Sequence, residues 1–518
     1  MRSDDTLTPQ REFPVAGLPA ASEGGASPAV EAVRPSAPEA SQLPVWLWPA
    51  ALMAAGVGLV TPNPGLTAAG ILVVPIIVSL LWRPGELPIL LACCLMQWLQ
   101  VVTPVFDADL VGQSLGVVSG IPQHDKATWL TLVGVVATAV GMRLALKHRL
   151  GSVAPQIELE LGQVSLPRIF HGYLLGFGVA IVSSSLAWQT GGLGQLILPF
   201  ALLKWGLLWI LISGALIQGR GHGWVVAALA LETGFGFLGY FSAFKDAYYV
   251  LALAIFSIRK RLSPVTWVGI FATLLGLLTL MIFWQAVKIE YRAFVSRDAT
   301  DQGVRVSVVE RLEKLQELVA NLDAAGIEEG ITTLVERVGY TELFAATLEW
   351  VPAGEPYAGG ELWRKALLHP VTPRLLFPDK AVLDDSEVTR RFTGRQVSGS
   401  ESGTSIGIGY MAESYADFGA FWMFLPLLSL GYVLGQLYRR IVFSGTSRAW
   451  GVALALAVLF VTLQGIATAG AKMFGAVLSA SLVLFTLNWL VGPTLLGGLG
   501  LRARVAPNPD SRPGPGTP

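Results

Sequence analysis

The sequence predicts an all-α polytopic membrane protein, with about twelve transmembrane helices and one large extracytoplasmic loop that carries amphipathic helices of its own. Three observations lead there. Hydrophobic residues are 53% of the 518 and charged residues only 14%, at a mean hydropathy of +0.57, a balance typical of membrane chains rather than soluble ones. Apolar runs of roughly 20 residues, the length that crosses a bilayer core as a helix, recur along most of the chain. Lys and Arg gather in alternate connections between those runs.

Residues 1–42 are rich in Pro, Ala, Ser and Glu and lack an apolar stretch long enough for a signal-peptide core, so a disordered cytoplasmic tail is expected. Nine apolar runs then fill 43–285, at 43–61, 65–82, 86–105, 127–146, 168–188, 198–218, 223–241, 244–258 and 264–285. The polar stretch GYFSAFKDAYY between the seventh and eighth marks a break or a re-entrant turn. Residues 286–417 form the large loop. Runs at 418–438, 448–468 and 474–494 fill 418–494, and the Pro/Gly-rich 495–518 is a second disordered cytoplasmic tail.

Sidedness follows from the short loops. With a cytoplasmic N-terminus, the inside loops hold Arg83, Lys147, Arg149, Arg220, Arg259, Lys260, Arg261, Arg439, Arg440 and Arg448, and the tail adds Arg502 and Arg504. The short outside loops hold only Lys126, Lys245 and Lys472. Both termini are therefore expected in the cytoplasm and 286–417 outside it.

Within the loop, SVVERLEKLQELVANL (307–322) places Val308, Leu312, Leu315, Val319 and Leu322 at helical spacing, and a second amphipathic run follows at about 331–351. Residues 310–361 hold eleven Asp/Glu against Arg311, Lys314 and Arg337. From 364 to 395 the balance reverses, with Arg364, Lys365, Arg374, Lys380, Arg390, Arg391 and Arg395 against Asp379, Asp384, Asp385 and Glu387. Prolines 370, 373 and 378 predict an irregular rather than helical segment. The expectation is an acidic helical lid before a basic, loop-built wall. Arginines in such a cluster suit a phosphate or diphosphate, gripped bidentately; the plainer alternative is loop charge neutralised by the interleaved acids.

The stretch GIGYMAESYADFGAFW (407–422) leads into the tenth run, with Tyr410, Glu413 and Asp417 on one helix face. Glu413 is a candidate general base for a hydroxyl nucleophile if burial raises its proton affinity; the alternative is an acid complementing a helix N-terminus. His369, the loop's one histidine, is a second candidate base, or a packing residue. Lys204, Glu232, Lys245 and Asp246 are charges within or opening apolar runs, and such charges are functional candidates. Lys204 and Lys245 are placed to reach a diphosphate at the outer surface, whereas Glu232 is expected to pair with a lysine.

Other chemistries lack their residues. The formal net charge is zero, which offers no pull towards nucleic acid. Cys93 and Cys94 are adjacent in an apolar run, unsuited to a structural disulfide or a metal set. No phosphate-cradling Gly-rich loop or nucleophile elbow is present. Neither a metal nor a cofactor is expected.

The layout, together with PRLLFPDK, RRFTG and GIGYMAESYADFGAFW at 373–422, resembles the oligosaccharide repeat-unit polymerases of bacterial inner membranes, which make O-antigen or exopolysaccharide. The topology is shared with O-antigen ligases. The resemblance implies a metal-independent glycosyltransferase acting on the outer face, with an undecaprenyl-diphosphate-linked glycan as donor and a hydroxyl of another lipid-linked repeat unit as acceptor. Membrane lipids, a chain-length regulator and a flippase are the partners it implies. In that reading Arg374, Lys380, Arg390, Arg391, Arg395, Lys204 and Lys245 hold the diphosphate, Tyr410 and Asp417 line the acceptor side, and Glu413 or His369 takes the proton. A ligase moving a finished glycan is the nearest alternative; a polysaccharide flippase or secondary transporter is the alternative from another class.

Overall fold

A computed structural model describes residues 45–146, 153–190, 193–238, 244–258, 264–297, 305–372, 377, 383–399, 404–443, 445 and 447–501. Every regular element among them is helical. In order these are α1 (Leu47–Gly58), α2 (Pro64–Leu81), α3 (Ile89–Val111), α4 (Leu115–Ser119), α5 (His124–Leu146), α6 (Val153–Gln163), α7 (Leu166–Gln189), α8 (Gly194–Gln218), α9 (His222–Leu238), α10 (Lys245–Phe256) and α11 (Pro264–Ser296). Then come α12 (Val308–Ala320), α13 (Ala324–Val338), α14 (Glu342–Trp350), α15 (Glu361–Val371), α16 (Asp385–Thr393), α17 (Tyr410–Trp422), α18 (Phe424–Phe443), α19 (Arg448–Leu459) continued by a 3-10 helix (Phe460–Ala467), and α20 (Gly470–Leu499).

Each of the twelve apolar runs is helical, but they are not equal. Among the described residues eight are long and apolar enough to cross a membrane: α2, α3, α5, α7, α8, α11, α19 with its 3-10 continuation, and α20. The pair α17–α18 bends by 120° and makes a ninth if it counts as one span. Helices α1 and α10 have 12 residues each and α9 has 17, below the roughly 20 a bilayer core requires. The chain is thus an all-α protein with a multi-pass membrane character.

Within this bundle α18 packs along α5, α7 along α8, and α19 lies between α8 and α18. The α19 span is 89% buried within the protein, whereas the window in α11 is 6% buried. One is the bundle's central helix, the other presents apolar side chains on nearly all sides.

The loop region is more helical than its prolines predicted. Pro370 is accommodated in the last turn of α15. Helix α16 forms because Asp384 caps it, accepting from Ser386 N at 2.9 Å and Glu387 N at 3.2 Å, and because Gly394 ends it in the left-handed region. Acids in its first turn and Arg390 and Arg391 in its last complement the helix dipole. The irregular segment expected across 364–395 is corrected accordingly; residues 373–376 and 378–382 lie outside the described set. The first amphipathic run is α12, opened by a capping box between Ser307 and Glu310. The second, expected at 331–351, is two helices, α13 and α14, with a break near Gly339.

Candidate functional site

The site is assembled where α15, α16 and α17 meet the start of α20. Helix α16 is pinned through its small polar face. Ser386 Oγ donates to Ser398 O (2.8 Å) and accepts from Ile406 N (3.0 Å), and Thr389 Oγ1 donates to Ile406 O (2.6 Å). This fixes Ser398 and Ile406 against α16, with Asp385 turned inward. Asp385 is buried and pairs with Lys472 at 2.6 Å. Ser405 bridges the two, donating to Asp385 Oδ2 (3.2 Å) and accepting from Lys472 Nζ (2.7 Å).

Glu413 lies one turn into α17, buried beside this pair. Its Oε2 accepts from Gly470 N, the first residue of α20, at 2.9 Å. It therefore caps a neighbouring helix rather than its own, at the level where that span begins. Burial pushes its carboxyl up to about 8, against the lowering effect of the Gly470 N–H, and Asp385 and Asp417 push the same way.

Asp417 acts similarly, with more donors. It accepts from Leu362 N at 3.0 Å and Trp363 N at 2.8 Å, capping α15 from outside. Its carboxyl is raised as well, by burial first, with those backbone donors opposing. Tyr410 is buried at the first position of α17, where its N–H donates to Thr468 O at 3.1 Å. Tyr410, Glu413 and Asp417 share one buried face, as the spacing predicted.

The described arginines form the rim. Arg391 Nε donates to Glu355 Oε1 at 2.6 Å and its Nη1 lies 3.2 Å from Glu361 Oε2; these two acids raise its already high proton affinity. Arg395 pairs with Glu342 at 2.8 Å. Arg390 reaches Val397 O at 2.9 Å and lies 3.7 Å from Asp384. The acids that neutralise Arg391 and Arg395 come from the acidic half of the loop, so the two halves interlock by charge. Arg374 and Lys380 lie outside the described residues. His369 sits at the C-terminal end of α15, one helix length from Asp417.

The charges of the earlier helices make a separate group. Lys204 Nζ bonds Glu232 Oε2 at 2.8 Å, and Tyr173 donates to Glu232 Oε1 at 2.9 Å. Lys204 also lies over the Trp205 ring at 4.1 Å. The lysine partnership expected for Glu232 is present, and the partners of Lys204 come from α7, α8 and α9 rather than from the loop. Lys245 is exposed at the start of α10.

Sequence reasoning passed over Asp385, Ser405 and Lys472 as members of one site. Asp385 counted only as neutralising charge, and Lys472 only as an outside-loop cation. Nothing local in the sequence joins positions 385 and 472, which meet through tertiary packing. Among the described residues no group of three or more His, Cys, Asp or Glu is placed to hold a metal ion.

A family model described as "Domain of unknown function (DUF8712)" matches residues 130–487, from within α5 to within α20. No curated protein and no solved structure matches the chain.

Proposed function

We propose that this chain, which belongs to the family described as a domain of unknown function (DUF8712), is a glycosyltransferase that polymerises lipid-diphosphate-linked oligosaccharide repeat units on the outer face of a bacterial inner membrane. The finer topology is part of the proposal: twelve membrane segments, 286–417 outside, both termini cytoplasmic. One observation carries the reading. A buried carboxylate of raised proton affinity, Glu413, stands beside the Asp385–Lys472 pair at the mouth of a span, where a lipid-anchored sugar arrives. Arg390 and Arg391 follow on the same helix as Asp385, about 7.5 and 9 Å further along at 1.5 Å per residue.

In this reaction an acceptor hydroxyl oxygen attacks the donor's anomeric carbon. The carbon–oxygen bond to the diphosphate breaks, and the lipid diphosphate leaves with its negative charge. Glu413 takes the hydroxyl proton, and Lys472 with Arg390, Arg391 and Arg395 stabilises the charge on the leaving group. Arg391 and Arg395 must then exchange Glu355, Glu361 and Glu342 for phosphate oxygens, and their partial exposure leaves them accessible for that. A base must be deprotonated to act, so turnover is expected to rise with pH towards a plateau above about 8.

The test uses purified protein in liposomes with undecaprenyl-diphosphate-linked repeat units. The wild type is expected to build a ladder of products, and Glu413→Gln to bind donor without elongating it. A wild-type protein that releases no lipid diphosphate from any such donor would sink the proposal. The Lys204–Glu232–Tyr173 group, with Glu232 and Tyr173 buried and Lys204 partly so, favours a second reading, a flippase or secondary transporter, because transporters place paired charges among their helices. Movement of lipid-linked glycan across the liposome without elongation, lost in Lys204→Met, would decide for it.

A further inference from the structure

We propose that α12 and α13 form an arm lying in the lipid–water interface at the end of α11, its apolar edge facing lipid. The depth comes from α11. Twenty residues from Pro264 at 1.5 Å each cover the roughly 30 Å hydrocarbon core and end near residue 284. Helix α13 crosses α11 at that level, because a Cβ at Gly330 would stand 2.8 Å from Ile282 O and 3.1 Å from the Ala286 Cβ. Helix α12 is held just beyond, through Leu315 and Leu318 against Trp284, Val287, Tyr291 and Val295.

Up to this level α11 meets lipid, since the protein buries only 6% of its span window, while Trp284, Val287, Tyr291 and Val295 at and beyond it are buried. The arm continues that surface. Val308, Leu312 and Val319 of α12 are exposed, Leu312 at 54%, and fall within about 40° of one another at 100° per residue. Ile327 and Ile331 of α13 are exposed too, Ile331 at 45%, again within about 40°. Both sets border the packed side. The acids Glu313 and Glu317 on α12, and Glu328, Glu329 and Glu336 on α13, lie towards the opposite side, facing water.

This is the pattern of an in-plane amphipathic helix, but with an acidic outer face. Such a face gains nothing from anionic headgroups, so apolar contact holds the arm down. Its edge faces lipid rather than covering the α16 site as a lid. The inference needs only a membrane-embedded α11 and is independent of the proposed chemistry.

The experiment places nitroxide labels on full-length protein in phosphatidylcholine liposomes, at Leu312→Cys, Ile331→Cys, Glu313→Cys and Glu329→Cys. Cys93 and Cys94 are fully buried, and the unsubstituted protein gives the labelling background. Labels at 312 and 331 are expected to collide preferentially with oxygen, and those at 313 and 329 with an aqueous nickel chelate. Nickel preference at 312 and 331 would put the edge in water and overturn the proposal. Shielding from both reagents would mean a protein cover and overturn it equally; spectral broadening that disappears on dilution with unlabelled protein would identify a second copy as that cover.

Discussion

Glu413, Asp417 and Glu160 share one structural habit: each carboxylate caps the N-terminus of a helix other than its own. Glu160 accepts from Ser447 Oγ at 2.7 Å, Arg448 N at 3.0 Å and Ala449 N at 3.0 Å, and Asp417 from two backbone N–H groups. Glu413 accepts from one. Donors stabilise the charged form and burial opposes it; in Glu413 and Asp417 burial is the larger effect and raises both carboxyls. Raised from 4.5 to about 8, Glu413 binds a proton in the folded state that the unfolded state releases. Its contribution is therefore full below the unfolded value and declines as pH rises towards about 8. Thermal melts in detergent from pH 5 to 8 should show wild-type stability falling by up to about 1.4 kcal/mol per pH unit relative to Glu413→Gln. Parallel profiles would mean that Glu413 is ionised in the fold. Asp417→Ala strands two N–H donors, that of Leu362 buried and that of Trp363 half-buried, and should cost about 2 kcal/mol, with Trp363 fluorescence reporting the loosened α15. The exposed Arg395–Glu342 pair, by contrast, is worth under about 1 kcal/mol, so Arg395→Ala should melt within a degree or two of wild type.

At the scale of elements, hydropathy located every apolar helix because burial in lipid and burial in protein select the same side chains. It misjudged lengths, because nothing in an apolar run states where the backbone stops. The run at 418–438 contains Gly419 at φ 72°, a kink inside α17 just before its junction with α18; the surrounding residues gave no sign of it. Composition also misled at 364–395, where prolines outweighed the capping acids and Gly394 in the reading of the chain. The candidate face of 410–417 was legible from helical spacing, whereas Asp385 and Lys472 were not, since their pairing depends on contacts 87 positions apart. The α5–α18 contact was legible in principle: Gly431 and Gly435 form a small-residue seam. An added Cβ at Gly431 would stand 2.0 Å from Thr138 O, too close for any side chain. Gly431→Ala should separate these helices and destabilise the bundle by about 1–3 kcal/mol, read as a lower melting midpoint, while Gly498→Ala, where a Cβ meets nothing within 4 Å, should be neutral.

For the whole molecule, sidedness rests on α11 more than on the count of spans. Its 33 residues extend about 50 Å as a helix, well beyond the roughly 30 Å hydrocarbon core. The two ends of α11 therefore lie on opposite sides whenever it crosses, whether the chain holds eight, nine or twelve membrane segments. Arg259, Lys260 and Arg261 precede it within five residues of Pro264, and clusters of this kind favour the cytoplasmic side of a span. On the proposed topology the described residues from 305 to the start of α17, α16 and its arginines among them, lie outside. This order matters for the chemistry, because an outward site meets lipid-linked sugars and not cytoplasmic sugar nucleotides. Alkaline phosphatase fused at Ala353 should be active and at Arg261 inactive, with a cytoplasmic reporter giving the reverse. Equal signals at both positions would mean that α11 does not cross, which would remove the outward placement of Glu413 and the interfacial depth of α13 together.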